Sequence, residues 1–154
     1  MTGIERRQAT DTDLDLLYEI FCISLRQYVE QTWGTWDERA QRQRFQEVTR
    51  PEDHKILQLD GYVIGCVSLK VFETELRLLR LFILPAYQNR GLGSEILEEI
   101  LAFAHQCELP VRLRVLCVNP ARRLYERHGF VVTEKSETHY TMVHAASDCP
   151  SLTP

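Results

Sequence analysis

No apolar run in this chain approaches the length of a membrane span, and none at its start has the shape of an export signal. Basic charge is also short. The 18 Lys and Arg stand against 22 Asp and Glu, a formal net charge of −4, whereas a nucleic-acid binder clusters an excess of Lys and Arg. The cysteines, Cys22, Cys66, Cys107, Cys117 and Cys149, are odd in number, with no Cys-x-x-Cys and no Cys/His spacing of a metal site. They read as buried thiols of a reduced protein, and no motif beside Cys117, near a strand end, would activate it as a nucleophile. Internal repeats and low-complexity segments are lacking too. These absences predict a cytoplasmic protein with no membrane span, no nucleic-acid partner and no metal.

What is present has the composition of a folded domain. Of 154 residues, 44% are hydrophobic and 26% charged, enough for one core without metal or disulfide staples. The sequence predicts a single domain over residues 1–144 and a loose tail over 145–154, where periodicity is lost. Ile4 to Gln8 reads as a first strand, and Thr10, Asp11 and Thr12 as helix-start residues. Leu14, Leu17, Tyr18, Phe21, Leu25 and Tyr28 mark one helix face, which Trp33 to Trp36 interrupt. A second, arginine-rich helix runs from Asp37 to about Val48. His54 to Leu59 and Tyr62 to Phe72 have strand character and flank Asp60-Gly61, a hairpin signal. A fourth strand, about Glu75 to Ile83, precedes a helix ending near Gln106, and Val111 to Val118 is a fifth. Pro120 opens a short helix that Gly129 closes; Phe130 to Thr133 and His139 to Val143 are the last strands.

The most informative stretch is Leu81 to Gly93. The apolar Leu81, Phe82, Ile83 and Leu84 end at Pro85, and Gln88, Asn89, Arg90, Gly91, Leu92 and Gly93 head a helical pattern that continues from Ser94 to Ala104. A strand that feeds glycines into a helix N-terminus makes an anion site, because unpaired N–H groups and the positive dipole end face one point. That suits a pyrophosphate. Gly91 and Gly93 also have a plainer use, letting the backbone turn and the helix pack closely. The loop lacks the Lys-Ser/Thr ending of a P-loop and the three-glycine spacing of dinucleotide folds. Arg77, Arg80, Arg90, Arg112, Arg114, Arg122, Arg123 and Arg127 share the half that carries this loop, while Glu30, Asp37 and Glu38 lie in the other.

Gln88-x-x-Gly91-x-Gly93 after an apolar strand resembles the acyl-CoA signature of the GNAT superfamily of N-acyltransferases. About thirty residues on, Asn119, Ala121, Leu124, Tyr125, Glu126, Gly129 and Phe130 resemble its second signature, and the likeness extends over nearly the whole chain. The resemblance implies an α/β fold of the α+β kind, a mixed, mostly antiparallel seven-stranded sheet flanked by four helices and splayed between strands 4 and 5. It implies acetyl-CoA as acyl donor and, as acceptor, a primary amine of a small molecule or peptide, attacking directly in a ternary complex. Leu81, Phe82 and Ile83 would offer backbone groups to the pantetheine arm, with Ile83 N–H as oxyanion donor. Gln88, Asn89, Arg90, Gly91, Leu92, Gly93 and Ser94 would wrap the pyrophosphate. Tyr125 would protonate the departing thiolate, or else serve only to cover the core.

Other positions stay open between two roles. Asn119 contacts the donor or caps the short helix, and it stands one residue closer to Tyr125 than in many members of the superfamily. Arg122 and Arg123 reach the donor's phosphates or are solvated. Where several relatives carry a Glu, eleven residues before the Gln, this chain has Arg77, so Glu73, Glu75 and His139 are the candidate bases, with solvated or structural roles as their alternatives. Tyr28, Trp33 and Trp36, with Glu30 and Asp37 nearby, would wall an acceptor pocket that His139 also borders; otherwise the tryptophans pin the helical hairpin. A monomer or a homodimer fits. The competing function is a non-catalytic acyl-CoA-binding sensor or interaction module, suggested by the missing strand-four Glu.

Overall fold

The computed structural model describes residues 3–146; residues 1–2 and 147–154, the latter including Cys149 and most of the expected tail, lie outside the described residues. Its strands are β1 (Glu5–Gln8), β2 (His54–Leu59), β3 (Tyr62–Val71), β4 (Leu76–Ile83), β5 (Val111–Leu116), β6 (Val131–Lys135) and β7 (His139–His144). The helices are α1 (Leu14–Trp33), α2 (Glu38–Val48), α3 (Leu92–Gln106) and α4 (Arg122–Arg127). The strands form one mixed sheet in the order β1-β2-β3-β4-β5-β7-β6. Its β4–β5 neighbours are parallel, but only Leu76 with Val111 and Arg77 with Arg112 are paired. No further β4–β5 pair is recorded among the described residues.

Contacts divide the chain into two compact units. The first comprises the residues up to Ser68 together with Arg80–Arg90. Here β1, β2 and β3 pair antiparallel, and Asp60 and Gly61 both take positive φ (52° and 82°), as a two-residue hairpin between twisted strands requires. Helix α1 starts where Asp13 accepts from Thr10 N–H at 2.9 Å and is gripped by both terminal nitrogens of Arg7, at 2.9 and 3.1 Å. It ends at Gly34 in the left-handed region (φ 84°), whose N–H reaches Glu30 O at 2.7 Å. Asp37 caps α2 by accepting from Ala40 N–H at 3.1 Å. Leu17, Tyr18, Ile20, Phe45, Ile56 and Cys66 form a buried cluster, against which Phe82 and Leu84 pack.

One irregularity in this unit shapes β4. The β2–β3 register slips so that Leu57 faces Gly65 and Gln58 faces Val63, which leaves Ile64 without a partner on β2. Ile64 O instead accepts from Leu84 N–H at 2.8 Å. A Cβ on Gly65 would stand 1.8 Å from Phe82 O, so only glycine lets the two backbones approach this closely.

The second unit holds Leu69–Leu79 and the residues from Gly91 onward. Helix α3 buries Leu92, Ile96, Leu97, Ile100 and Ala104, the periodic face expected of it. Strand β7 pairs antiparallel with both β5 and β6, and β6, an edge strand, is exposed at all five positions. Strand β5 stops at Leu116 rather than Val118 because Asn119 N–H bonds Leu116 O at 2.9 Å and turns the chain. Of the thiols expected to be buried, Cys66 is; Cys22 and Cys117 are half-buried, and Cys107, at the end of α3, is exposed because the helix stops there and its apolar face stops with it.

Candidate active site

The loop after β4 is built by local geometry. Pro85 opens a single 3-10 turn, with Tyr87 N–H on Leu84 O at 2.9 Å and Gln88 N–H on Pro85 O at 3.2 Å. Asn89 (φ 63°) and Gly91 (φ 77°) then take left-handed conformations on either side of Arg90, and α3 begins. Among the described residues no backbone carbonyl is recorded as accepting from the N–H groups of Gly91 through Ser94; the first such bond is Glu95 N–H to Gly91 O at 3.0 Å. These unpaired donors at the start of a 15-residue helix fit an anionic phosphate group. A Cβ at Gly91 would meet nothing within 4 Å, so glycine is needed there for its conformation and not for space. Arg90 is exposed, with its guanidinium 5.4 Å from the Tyr87 ring centroid. Gln88 folds back, its Nε2 donating to Ile83 O at 2.8 Å, and so ties the loop to the end of β4. Leu81, Phe82 and Ile83 are each half-buried.

Tyr125 is buried on α4, with its ring edge-on to Phe130 at 5.7 Å and 63°. No protein hydrogen bond to its hydroxyl is recorded among the described residues, and burial pushes its pKa up to about 12, which keeps the phenol protonated. Asn119 Oδ1 accepts from Ala121 N–H at 2.9 Å, closing a turn just ahead of α4, whose N-cap position is Ala121. Arg122 lies 3.4 Å from Glu126 and 4.8 Å from the Tyr140 ring centroid.

Of the candidate bases, Glu75 is held by the guanidinium groups of Arg77 and Arg112, the latter at 3.1 Å. The Arg77 hydrogen bond, chiefly, lowers its pKa from the usual carboxylate value and makes it a weaker proton acceptor. Glu73 is exposed in the bend between β3 and β4. His139 opens β7, its Nδ1 2.8 Å from Thr138 Oγ1, and lines a polar cleft of about 300 Å³ with Arg112, Arg114, Glu134, Lys135, Ser136 and Thr141. Burial first, and the Arg114 charge second, lower its pKa.

The three aromatic residues expected to wall an acceptor pocket have different surroundings. Trp36 packs on Phe21 with centroids 6.0 Å apart, lies beneath Arg26 and donates to Glu38 at 3.2 Å. Trp33 is 54% exposed and Tyr28 half-buried. Apart from these, Tyr18, Phe21 and Phe45 form an aromatic cluster in the core, Phe45 lying 5.2 Å from each of the other two. Glu30 is 3.5 Å from Arg26, and Asp37 is occupied as a cap, so both carboxylates proposed to attract an ammonium group have partners. Two residues with structural weight were not singled out by sequence motif: Gly65, an isolated glycine in a strand, and His54, a polar residue at a strand position. Each such interruption of a strand pattern was the available signal. Among the described residues no group of three His, Cys, Asp or Glu could hold a metal ion, and no helix is long and apolar enough to cross a membrane.

Solved structures share this architecture. The PaiA N-acetyltransferase from Thermoplasma acidophilum, solved in complex with coenzyme A, is 22% identical with a TM-score of 0.72, over 93% of this chain and 99% of that one. An acetyltransferase from Thermus thermophilus is 20% identical with a TM-score of 0.70, over 92% and 96% of the two chains. Ard1 from Thermoplasma volcanium is 25% identical with a TM-score of 0.62, over 92% and 97%. Residues 51–132 match the Acetyltransferase (GNAT) domain, and with more than half of its length so matched the chain belongs to the GNAT acetyltransferase family.

Proposed function

We propose that the protein transfers an acetyl group from acetyl-CoA to a primary amine of a small molecule or peptide, by direct attack in a ternary complex. The observation that carries this reading is the run of backbone N–H groups from Gly91 to Ser94 that lack recorded backbone acceptors, in a chain of this family. The coenzyme A held by the PaiA relative supports it. Acetyl-CoA supplies an acyl group activated as a thioester; as the amine attacks, a C–N bond forms and the C–S bond breaks.

Each residue has a task in that reading. Gln88 to Ser94 hold the pyrophosphate, with Gln88 fixing the loop to Ile83. Leu81, Phe82 and Ile83 take the pantetheine arm along β4, and Ile83 N–H stabilises the oxyanion. Asn119 and Arg122 contact the donor with the groups that the Asn119 turn and the Arg122 ion pair leave open. Tyr125 donates a proton to the departing sulfur; a phenol with a pKa of about 12 is fully protonated at neutral pH and recovers its proton from solvent. With Glu75 held between two arginines, Glu73 or His139 drains the amine's proton through water. Tyr28, Trp33 and Trp36 border the acceptor, and the protein works in the cytoplasm as a monomer or homodimer.

Thiol release from acetyl-CoA in the presence of amines, amino acids and peptides tests this. Release with one acceptor class and not the others supports it. One observation favours a second reading, a non-catalytic acyl-CoA sensor: Arg77 stands where several relatives have a Glu, and it ties up Glu75. Acetyl-CoA binding with no thiol release from any acceptor favours the sensor.

A further inference from the structure

Arg80 is set apart from the other arginines of the first unit by what surrounds it. It stands in β4 between Leu79 and Leu81, and its guanidinium lies 4.7 Å from the Phe45 ring centroid and 5.5 Å from that of Phe21. Nη1 donates to Thr49 Oγ1 and to His54 Nε2, each at 3.1 Å. His54 Nδ1 lies 2.8 Å from Arg50 O, to which it donates, so Nε2 is the acceptor nitrogen and the imidazole is neutral. Every partner of this guanidinium is therefore uncharged. Arg7, Arg26 and Arg42, all more exposed, lie within 4 Å of carboxylates. Among the described residues none does so for Arg80.

A cation withdrawn from water with only neutral partners is poorly compensated, and burial accordingly lowers the Arg80 pKa. Two of its nitrogens remain available. Neither Nε nor Nη2 makes a recorded hydrogen bond, and neither is among the fully buried atoms that lack one, so both keep contact with solvent. These are adjacent donors in the fork geometry that matches a carboxylate. Thr49 and His54 hold Nη1; the buried Phe45 backs the guanidinium, and the half-buried Phe21 is the ring that can offer an apolar flank. Arg80 and Phe82 also point to the same face of β4, since they are two residues apart.

We propose that Arg80 anchors the carboxylate of the acceptor, so that the amine acetylated by this protein is an amino acid or related amino-carboxylate with an apolar or aromatic body. The proposal rests on the acetyltransferase reading and narrows its acceptor class. A half-buried β4 cation that served only as a strut between Thr49 and His54 would gain nothing from keeping two donors open.

Two measurements test it, the first independent of catalysis. Phenylacetate and its neutral counterpart phenylacetamide are titrated against the full chain by calorimetry. Phenylacetate should bind at least tenfold more tightly, and Arg80→Gln should abolish that preference while Arg80→Lys retains part of it. Equal binding of the two probes, or no binding of phenylacetate to the unsubstituted protein, overturns the proposal without reference to any variant. The second is thiol release with L-phenylalanine against L-phenylalaninamide. The acid should be favoured at least tenfold in kcat/KM, mainly through KM, and the ratio should approach one in Arg80→Gln. If phenylacetate binds but no amine releases thiol, the carboxylate anchor stands and the transferase reading fails; if transfer occurs equally to acid and amide, the reverse holds.

Discussion

Substitution of Gly65 by alanine probes the contact on which the geometry of β4 rests. The new Cβ would lie 1.8 Å from Phe82 O, 2.9 Å from Phe82 C and 3.1 Å from Ile83 Cα, all backbone atoms with no rotamer to change. Relieving the clash moves β3 and β4 apart by more than an ångström, and the 2.8 Å bond from Leu84 N–H to Ile64 O cannot survive that shift. The lost bond is worth about 1 kcal/mol. The misfit adds about 2 kcal/mol, so the substitution should destabilise by about 3 kcal/mol in total. Gly61→Ala is the control: its positive φ strains an alanine by about 1 kcal/mol, yet nothing lies within 4 Å of the added Cβ. Urea unfolding at constant m reads both. In the proposed reaction Gly65→Ala also displaces Ile83 N–H, and a misplacement of that size costs about a hundredfold in kcat/KM. A midpoint for Gly65→Ala no lower than that for Gly61→Ala would refute the close-approach argument.

Three further outcomes follow from named contacts. Tyr125→Phe removes a hydroxyl with no recorded protein partner, so stability should change by less than about 1 kcal/mol while steady-state kcat falls about tenfold or more; an unchanged kcat would remove the residue from proton transfer. His54 is held neutral, its pKa lowered from 6.5 chiefly by burial and further by Arg80. The folded state thus binds fewer protons than the unfolded one, and this contribution to stability is complete above 6.5 and is lost as pH falls from there toward the depressed native value. In His54→Gln that slope should flatten, as urea midpoints between about pH 5 and 7.5 would show; an unaltered slope would assign it elsewhere. Gln88→Leu frees Ile83 O and should weaken acetyl-CoA binding about fivefold, the equivalent of one hydrogen bond of about 1 kcal/mol, as measured by calorimetry.

What could be read from the sequence was what short segments decide for themselves. Asp60-Gly61, the start of α2 at Asp37 and the turn at Gly91 are local requirements of backbone geometry, and each stands where the sequence placed it. The apolar periodicity of α3 is likewise a property of fifteen consecutive residues. Features created by distant segments were not legible. Glu75 looked like a free carboxylate until the parallel pairing of β4 with β5 brought Arg112 beside it. The need for glycine at Gly65 is set by the Phe82 carbonyl, seventeen residues away in sequence. Trp36 could be seen as aromatic, but its use in joining the start of α2 to Phe21 depends on how α1 and α2 fold back together.

The most direct test of the central claim is scanning calorimetry of the full chain with and without acetyl-CoA. Ligand at a hundred times its dissociation constant stabilises a folded protein by about 2.7 kcal/mol, so the melting temperature should rise by several degrees and climb further with the logarithm of concentration. A melting temperature that does not move at millimolar acetyl-CoA would contradict the assignment of the Gln88–Ser94 loop as the donor's phosphate site, and with it the proposed reaction.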